Sequence, residues 1–180
     1  MFDLQPHLTG EIIAMRPMTP GDYDALFAVA SDPLVWELHP ARDRYKEPVF
    51  RALFEDGLAS GGAMVAIVRE TGVVAGSSRY SAMYAGPGEI EIGWTFLARA
   101  YWGGAYNLDM KRIMLAHAFR FVDTVIFRIG ETNLRSRRAI EKIGAVLTDR
   151  DDPGAASAPV KHLVYAITRE AFEGESASLP

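Results

Sequence analysis

The chain has 180 residues, of which 49% are hydrophobic and 23% charged, a balance typical of a soluble globular protein with one domain. It contains no cysteine, which excludes a disulfide scaffold, a cysteine nucleophile and a zinc–thiolate site. Its net charge of -4 argues against a general nucleic-acid or anionic-membrane coat, and no apolar run approaches the about 20 residues of a membrane span.

The first part of the chain predicts one strand and two amphipathic helices. Thr19 and Pro20 are typical of a helix start, and apolar residues follow at helical spacing from Tyr23 to Ala30. An irregular stretch then precedes a second run of apolar residues with the same spacing. The expected elements are a strand over residues 11–18 and helices over about 19–30 and 47–58.

The middle of the chain predicts three consecutive strands, over residues 63–68, 73–83 and 89–97. A Thr-Gly turn separates the first two, which we therefore expect to form a hairpin. The third strand alternates with period two, so Glu91 lies on one face while Ile90 and Ile92 lie on the other.

The last part alternates helices and strands, and with the hairpin it favours an α/β (α+β) domain with one mixed, mostly antiparallel sheet. The expected elements are a helix over about 107–122, a strand over 124–130, a helix over 133–143, and strands over 145–148 and 162–168. This makes about six or seven strands and about four helices. The connection from the strand ending at 97 to the strand starting at 124 should be a parallel, right-handed crossover.

We expect a single domain over residues 11–168, preceded by an arm over 1–10 and followed by a flexible tail over 169–180. A loop over 149–159, rich in Asp, Gly, Ala and Pro, joins the last two strands. The first ten residues lack the basic and apolar regions of a signal peptide, so we expect a cytoplasmic protein.

Two segments carry features of an anion site. Gly103 and Gly104 directly precede a helix, so the backbone can approach a ligand closely and free N–H groups can bind a phosphate. A simple turn is the alternative, because neither a dinucleotide fingerprint nor a Walker loop is present. In the second segment, Arg135, Arg137 and Arg138 oppose the dipole of the helix that Asn133 begins, which an anionic ligand would offset; the alternative is a solvated basic face.

Three stretches of the chain together resemble one protein family. They are residues 13–18 with Asp22, residues 91–94 with 102–107, and residues 133–145 with their Asn-x-x-Ser start and Lys-x-Gly end. In this combination the chain resembles the GCN5-related N-acetyltransferases, and among them the ribosomal-protein-alanine N-acetyltransferases, over about residues 11–168. The resemblance implies a splayed parallel strand pair that forms a groove for acetyl-CoA, and transfer of its acetyl group to a primary amine.

The resemblance also implies which residues bind acetyl-CoA. The pantetheine arm would follow the third strand, the diphosphate would lie over the glycine loop, Asn133 would bind near the pantetheine, and Arg135 or Arg138 would reach phosphate. The residues in this expected set are Trp94, Thr95, Phe96, Leu97, Trp102, Gly103, Gly104, Ala105, Tyr106, Asn107, Asn133, Arg135 and Arg138. Two places depart from the family's pattern: the glycine loop lacks a cation, with Trp102 in the place of an arginine in one alignment, and has Ala105 for a glycine; Ile140 stands where many relatives carry a tyrosine.

The expected catalytic residues are Glu91, Ser136 and Asn133. Glu91 would take the proton of the amine, through water, because an ammonium group cannot attack a thioester. Ser136 would replace the missing tyrosine as the partner of the departing thiolate, and a backbone N–H near Trp94 or Thr95 would bind the thioester carbonyl. A paired strand carboxylate and a helix-capping serine are the structural alternatives for the two side chains.

The acceptor is less constrained than the donor. Trp36 and His39, between the first two helices, and Arg79 and Tyr80, on the second hairpin strand, are the expected substrate-binding residues. A protein N-terminus and a small-molecule amine both remain open as acceptors, as does an acyl-CoA-binding sensor without turnover. No His, Asp or Glu cluster has metal-ligand spacing, so we expect no metal, and a homodimer through edge strands is a further option.

Overall fold

The computed structural model describes residues 1–155 and 160–176, and its centre is one eight-stranded sheet. The strands are β1 (Leu8–Thr9), β2 (Ile13–Pro17), β3 (Ala63–Val68), β4 (Val74–Ser81), β5 (Glu89–Leu97), β6 (Thr124–Gly130), β7 (Val146–Leu147) and β8 (His162–Thr168). The helices are α1 (Tyr23–Ala30), α2 (Glu47–Ala59), α3 (Ala105–Ala118), α4 (Leu134–Glu141) and α5 (Arg169–Ser176). Single 3-10 turns occupy Pro20–Asp22, Pro33–Trp36 and Arg99–Tyr101.

The strands lie in the order β1-β2-β3-β4-β5-β6-β8-β7, and of the neighbouring pairs only β5 and β6 are parallel. The predicted mixed, mostly antiparallel sheet is therefore confirmed. The described residues hold one strand and one helix more than expected: β1, whose two residues are too few to show a pattern, and α5. Residues 156–159 of the predicted loop and 177–180 of the predicted tail lie outside the described residues.

Helices cover both faces of the sheet, and each face has its own apolar core. On the face covered by α3 and α4, which we call the α3 face, side chains of the helices pack against alternate residues of the strands, among them Ile90, Ile92, Phe127, Met110, Met114 and Ile140. On the other face, the α1 face, α1 and α2 pack against β3 and β5 through Leu26, Phe50, Val65 and Phe96. Glu91, between two residues of the α3 face, belongs to the α1 face.

A bulge in β5 creates the gap in the sheet. The register between β4 and β5 shifts around Gly93 and Trp94, and Trp94 has a φ of 51°, which is rare for a residue with a side chain. On β4, Gly76 permits the close approach of this distorted strand, because a Cβ there would lie 2.0 Å from the carbonyl oxygen of Phe96. Within the two strands, the pairing of β5 with β6 ends at Glu91, so their carboxyl-terminal parts separate.

Helix α3 is held in place next to this gap by two contacts, one half-buried and one buried. The Asp109 carboxylate accepts the backbone N–H groups of Ile12 and Ile13 at 2.9 and 2.8 Å. One turn further, the Tyr80 hydroxyl donates to the carbonyl oxygen of Met114 at 2.7 Å. The alternation of β4 thus turns Tyr80 into the core of the α3 face.

Candidate active site

A groove with a volume of about 200 Å³ lies where β5 and β6 separate. Residues of both faces of the sheet line it, so it connects the α3 face with the α1 face. From the α3 face come Asn107, Lys111, Phe127, Ile129, Ser136 and Ile140; from the α1 face and its loops come Trp36, His39, Pro40, Arg128 and His162; and the stretch from Ile92 to Leu97 forms one wall. The groove also contains Asn133, Arg135, Trp102 and Gly103.

The segment between β5 and α3 forms the outer end of the groove. Its fold is fixed by Trp102, whose Nε1 donates to the carbonyl oxygen of Leu97 at 2.8 Å. Gly103 has a φ of 67° and open space around it, and Gly104 precedes α3 without a side-chain cap. The first N–H groups of α3 therefore have no capping side chain, which suits an anion. The helix begins at Ala105, before the predicted start at about residue 107, so Ala105 and Tyr106 belong to its first turn.

The start of α4 lies across the groove from this segment. Asn133 is buried, and its Oδ1 accepts the backbone N–H of Ser136 at 3.2 Å, so the asparagine caps the helix as expected for its sequence position. The half-buried Ser136 lines the groove.

The two arginines predicted to reach phosphate differ in their surroundings. Arg135 stacks on the ring of Trp102 at 3.7 Å and donates to the carbonyl oxygen of Val35 at 3.0 Å, so its guanidinium joins both sides of the groove. Arg138 is exposed and forms no ion pair within residues 1–155 and 160–176. Arg138 is thus an exposed cation of α4, but unlike Arg135 it does not line the groove.

Glu91 is a buried carboxyl on the α1 face. It is 2% exposed, and its Oε2 has no hydrogen-bond partner in the described part of the chain. Burial raises the pKa of Glu91 to about 7, against the opposing effect of the Arg128 guanidinium; Asp152 raises the pKa further and Arg79 lowers it. Glu91 does not itself line the groove, but Gly93 does, and a Cβ at Gly93 would lie 3.1 Å from Glu91 Oε1.

The other predicted acceptor residues are divided between the groove and the protein core. Trp36 is buried, its Nε1 donating to the carbonyl oxygen of Ala30 at 2.8 Å, and it presents an edge to the His39 ring at 5.6 Å. Burial and the nearby Arg44 lower the pKa of His39 to about 3, so this imidazole is neutral. Both rings line the groove.

Arg79 and Tyr80 do not line the groove. Arg79 is buried beneath Trp94, with its guanidinium 4.5 Å from the ring centre, and pairs with Asp56 at 2.7 Å. Tyr80 faces α3, as described above. The bulge explains why Arg79 is outside the groove, because Trp94 covers Arg79 from the side of the groove. Tyr80 is outside it because the alternation of β4 turns its side chain toward α3.

Several groove residues were not predicted from the sequence. Arg128 forms a buried ion pair with Asp152 at 2.6 Å and stacks on Tyr84 at 3.8 Å, and His162 lies 3.5 Å from the same aspartate. These residues come from separate segments and share no motif, so only the folded chain reveals them. Lys111 did leave a signal, since it occupies a position in the apolar stripe of its helix between Leu108 and Leu115.

Two further features of residues 1–155 and 160–176 bear on the kind of site. They contain no group of three or more His, Asp or Glu side chains that could hold a metal ion. They also contain no helix that is long and apolar enough to cross a membrane.

The described residues thus form a mixed sheet that separates at a bulge, with the uncapped start of α3 at one end of the gap and the buried carboxyl of Glu91 on the α1 face of β5. The acetyltransferase (GNAT) domain family matches residues 13–146, and the chain belongs to this family. The fold and family implied by the three sequence stretches are thereby confirmed. Acetyl-CoA is the acyl donor that this family uses.

Solved structures show the same architecture. A GNAT-family acetyltransferase from Bacillus anthracis is 20% identical, with a TM-score of 0.75 over 92% of this chain and 99% of that one. A GCN5-related N-acetyltransferase from Brucella melitensis is 16% identical, with a TM-score of 0.78 over 96% and 85%. Mycobacterium smegmatis RimJ, in complex with CoA-disulfide, is 18% identical, with a TM-score of 0.65 over 97% and 93%. At these identities the likeness establishes the fold, and no curated protein matches the chain in sequence.

Proposed function

We propose that this chain is an N-acetyltransferase that moves the acetyl group of acetyl-CoA directly to a primary amine. The observation that carries the proposal is Glu91, a buried carboxyl whose pKa of about 7 suits a base at neutral pH. It lies on the α1 face next to Arg128 and Gly93, which line the groove, while the uncapped start of α3 follows the Gly103 end of that groove. Donor and acceptor would therefore approach the gap from opposite faces of the sheet.

The residues around the groove fit acetyl-CoA. The open backbone at Gly103 and the uncapped first turn of α3 suit its diphosphate, and the exposed Arg138 adds a cation. The wall from Trp94 to Leu97 would pair with the pantetheine arm, near the buried Asn133. Bound there, acetyl-CoA supplies an activated acetyl group, and a backbone N–H of Trp94 or Thr95 would bind the thioester carbonyl.

Glu91 would accept the proton of the acceptor amine through a water molecule. Its oxygens are buried, so direct contact with the amine is less favourable than a relay across the space that Gly93 leaves open. Trp36 and His39 would form the walls on the acceptor side, since the neutral imidazole adds no charge next to an incoming amine.

We propose that the acceptor is a protein N-terminus or a small-molecule amine, and that the chain belongs to the ribosomal-protein-alanine branch of the family. The sequence resemblance supports the branch, and the RimJ structure supports it through the fold alone. We further propose that the protein is cytoplasmic, that residues 11–168 form the catalytic domain, and that edge strands support a homodimer.

A thermal-shift assay followed by an acceptor screen tests the proposal. Acetyl-CoA at about 100 times its dissociation constant should stabilise the protein by about 2.7 kcal/mol, which corresponds to a rise in Tm of about 5–10 °C. Adenosine alone should produce a much smaller rise. Release of CoA thiol in the presence of alanine-terminated peptides or small amines would then identify the acceptor. A stabilised protein that acetylates no amine would favour the sensor, and the absence of any shift at millimolar acetyl-CoA would contradict the proposal.

A further inference from the structure

Lys111 is a buried lysine that faces the groove from the α3 face. Its residue is 4% exposed, and its Nζ donates to Thr95 Oγ1 at 2.7 Å and to Ser78 Oγ at 3.2 Å. The centre of the Phe127 ring, on the other side of the gap, lies 6.0 Å from Nζ. The amino group is therefore held between β5 and β6, where the two strands have separated.

No carboxylate compensates the charge of this lysine. None of the ion pairs in residues 1–155 and 160–176 includes Lys111. The carboxylate of Asp109, on the same helix, instead accepts the backbone N–H groups of residues 11–13. The groups that face Nζ from β4, β5 and β6 are two hydroxyls and a phenyl ring. Burial is thus the single cause that lowers the pKa of Lys111 to about 7.

An uncompensated ammonium group inside a groove is satisfied when an anion forms next to it. An N-acetyltransferase produces such an anion, because the C–S bond breaks and the electron pair remains on sulfur. We propose that Lys111 is the proton donor to the sulfur of the departing CoA. This inference rests on the proposed function, and it assigns to α3 a role that the sequence had placed on Ser136 of α4.

The proposed step balances in atoms and charge. The lone pair of the acceptor amine forms the new N–C bond, and the C–S bond breaks with its electrons on sulfur. The proton on Lys111 Nζ moves to sulfur, giving CoA thiol and a neutral lysine. The proton lost by the amine goes to Glu91 through water. Solvent then returns a proton to Lys111 and removes one from Glu91, so the enzyme ends as it began.

Lys111 suits this transfer better than Ser136 does. A thiol has an ordinary pKa of about 8.5, so an ammonium group that titrates near 7 gives its proton to a thiolate favourably. A serine hydroxyl is a far weaker acid than a thiol and can only donate a hydrogen bond to the anion.

The order of ionisation in the complex with CoA tests the proposal without turnover. Lys111 Nζ, followed by NMR, should lose its proton at about pH 7, before the bound thiol gives ultraviolet thiolate absorbance at about pH 8.5, because only the more acidic group can donate to the other. Formation of the thiolate should in turn shift the Nζ signal, since the proposal places the two atoms in contact. Ser136→Ala should leave both transitions unchanged, and so should the control Arg112→Met, which removes the adjacent, exposed cation of the same helix. Thiolate absorbance that appears before Lys111 loses its proton, or an Nζ signal that does not respond to the thiolate, would overturn the proposal.

Kinetics with an identified acceptor provide the second readout. Lys111→Met should lower kcat by about 100-fold with little change in the KM of acetyl-CoA, as expected for the loss of one acid. Its Tm at pH 7 should rise, since methionine removes a buried charge and fits an apolar helix position. A loss of kcat with Ser136→Ala but not with Lys111→Met would overturn the proton-donor role. A preference for succinyl-CoA over acetyl-CoA that Lys111→Met abolishes would also overturn it, because Lys111 would then bind the carboxylate of the acyl group. A wild type that binds acetyl-CoA but acetylates no amine would instead contradict the proposed function.

Discussion

Glu91→Gln should become more stable relative to the wild type as pH rises from 5 to 8, while it abolishes most of the activity. The wild-type carboxyl is buried, and one of its oxygens has no partner in the described part of the chain. Its pKa of about 7 exceeds the ordinary value of 4.5 because burial disfavours the charged form. Glutamine has nearly the same shape and carries no charge, so the substitution removes the cost of burying a carboxylate.

The magnitude follows from the two pKa values. The folded state binds the Glu91 proton more tightly than the unfolded chain, so this group lowers the free energy of unfolding as pH rises from 4.5 to 7. At about 1.4 kcal/mol per pH unit, the cost reaches about 3 kcal/mol at pH 8 and is about 1 kcal/mol at pH 5. The glutamine amide adds a constant penalty of about 1–3 kcal/mol if its N–H groups find no acceptor. The free energy of unfolding of Glu91→Gln is therefore compared with that of the wild type at each pH. The change of this difference with pH reports the ionisation of Glu91 alone.

Urea unfolding at pH 5 and pH 8 measures this change. The stability of Glu91→Gln relative to the wild type should increase by about 2–3 kcal/mol between the two pH values. Glu89→Gln, two residues earlier on the same strand, is the matched control: Arg150 binds both oxygens of Glu89 and lowers its pKa, so loss of this carboxylate should destabilise the protein at pH 8. A relative stability of Glu91→Gln that is the same at both pH values would refute a buried carboxyl with a raised pKa.

Three further substitutions test other parts of the site. Gly103→Ala should cost about 1–2 kcal/mol of stability, because its φ is 67°, and should also weaken acetyl-CoA binding. The control Gly61→Ala, at a φ of 65° and far from the groove, should cost the same stability and leave binding unchanged, which calorimetry can measure. Arg138→Ala should weaken acetyl-CoA binding by about five-fold, with the loss disappearing at high salt. Arg128→Met should raise the pKa of Glu91, moving the acid limb of the pH–rate profile upward, and an unmoved limb would contradict the proximity of the two groups.

The sequence predicted the strand that holds the site but not its distortion. The alternation of β5 correctly separates Glu91 from Ile90 and Ile92. After Gly93 the simple period fails, because the bulge depends on the close approach of Gly76 from the neighbouring strand. Since that approach comes from outside β5, no pattern within β5 could show that Trp94 covers Arg79.

The two sides of the groove differ in how far sequence could describe them. The proposed donor side is built from contiguous segments, so the glycine pair before a helix and the family resemblance of residues 133–145 pointed to Gly103 and Asn133, and both line the groove. The acceptor side combines Arg128 with Asp152 and His162, which topology alone brings together. Pairings of this kind carry no local signal, and they require the strand order β5-β6-β8 to be known.

Two buried ionisable groups, Lys111 in the groove and Glu91 beside it, impose opposite demands on pH. Transfer as proposed needs Glu91 without its proton and Lys111 with one, and both have pKa values of about 7. About a quarter of the molecules would hold both forms at pH 7, and the rate should fall on either side of that pH. Stability has the opposite dependence. Glu91 reduces it as pH rises from 4.5 to 7, and Lys111, which the unfolded chain protonates more readily, increases it as pH rises from 7 to 10.5. These two groups therefore place the lowest free energy of unfolding at the pH of greatest activity. A variant that lacks both groups should show neither the minimum of stability nor the maximum of activity near pH 7.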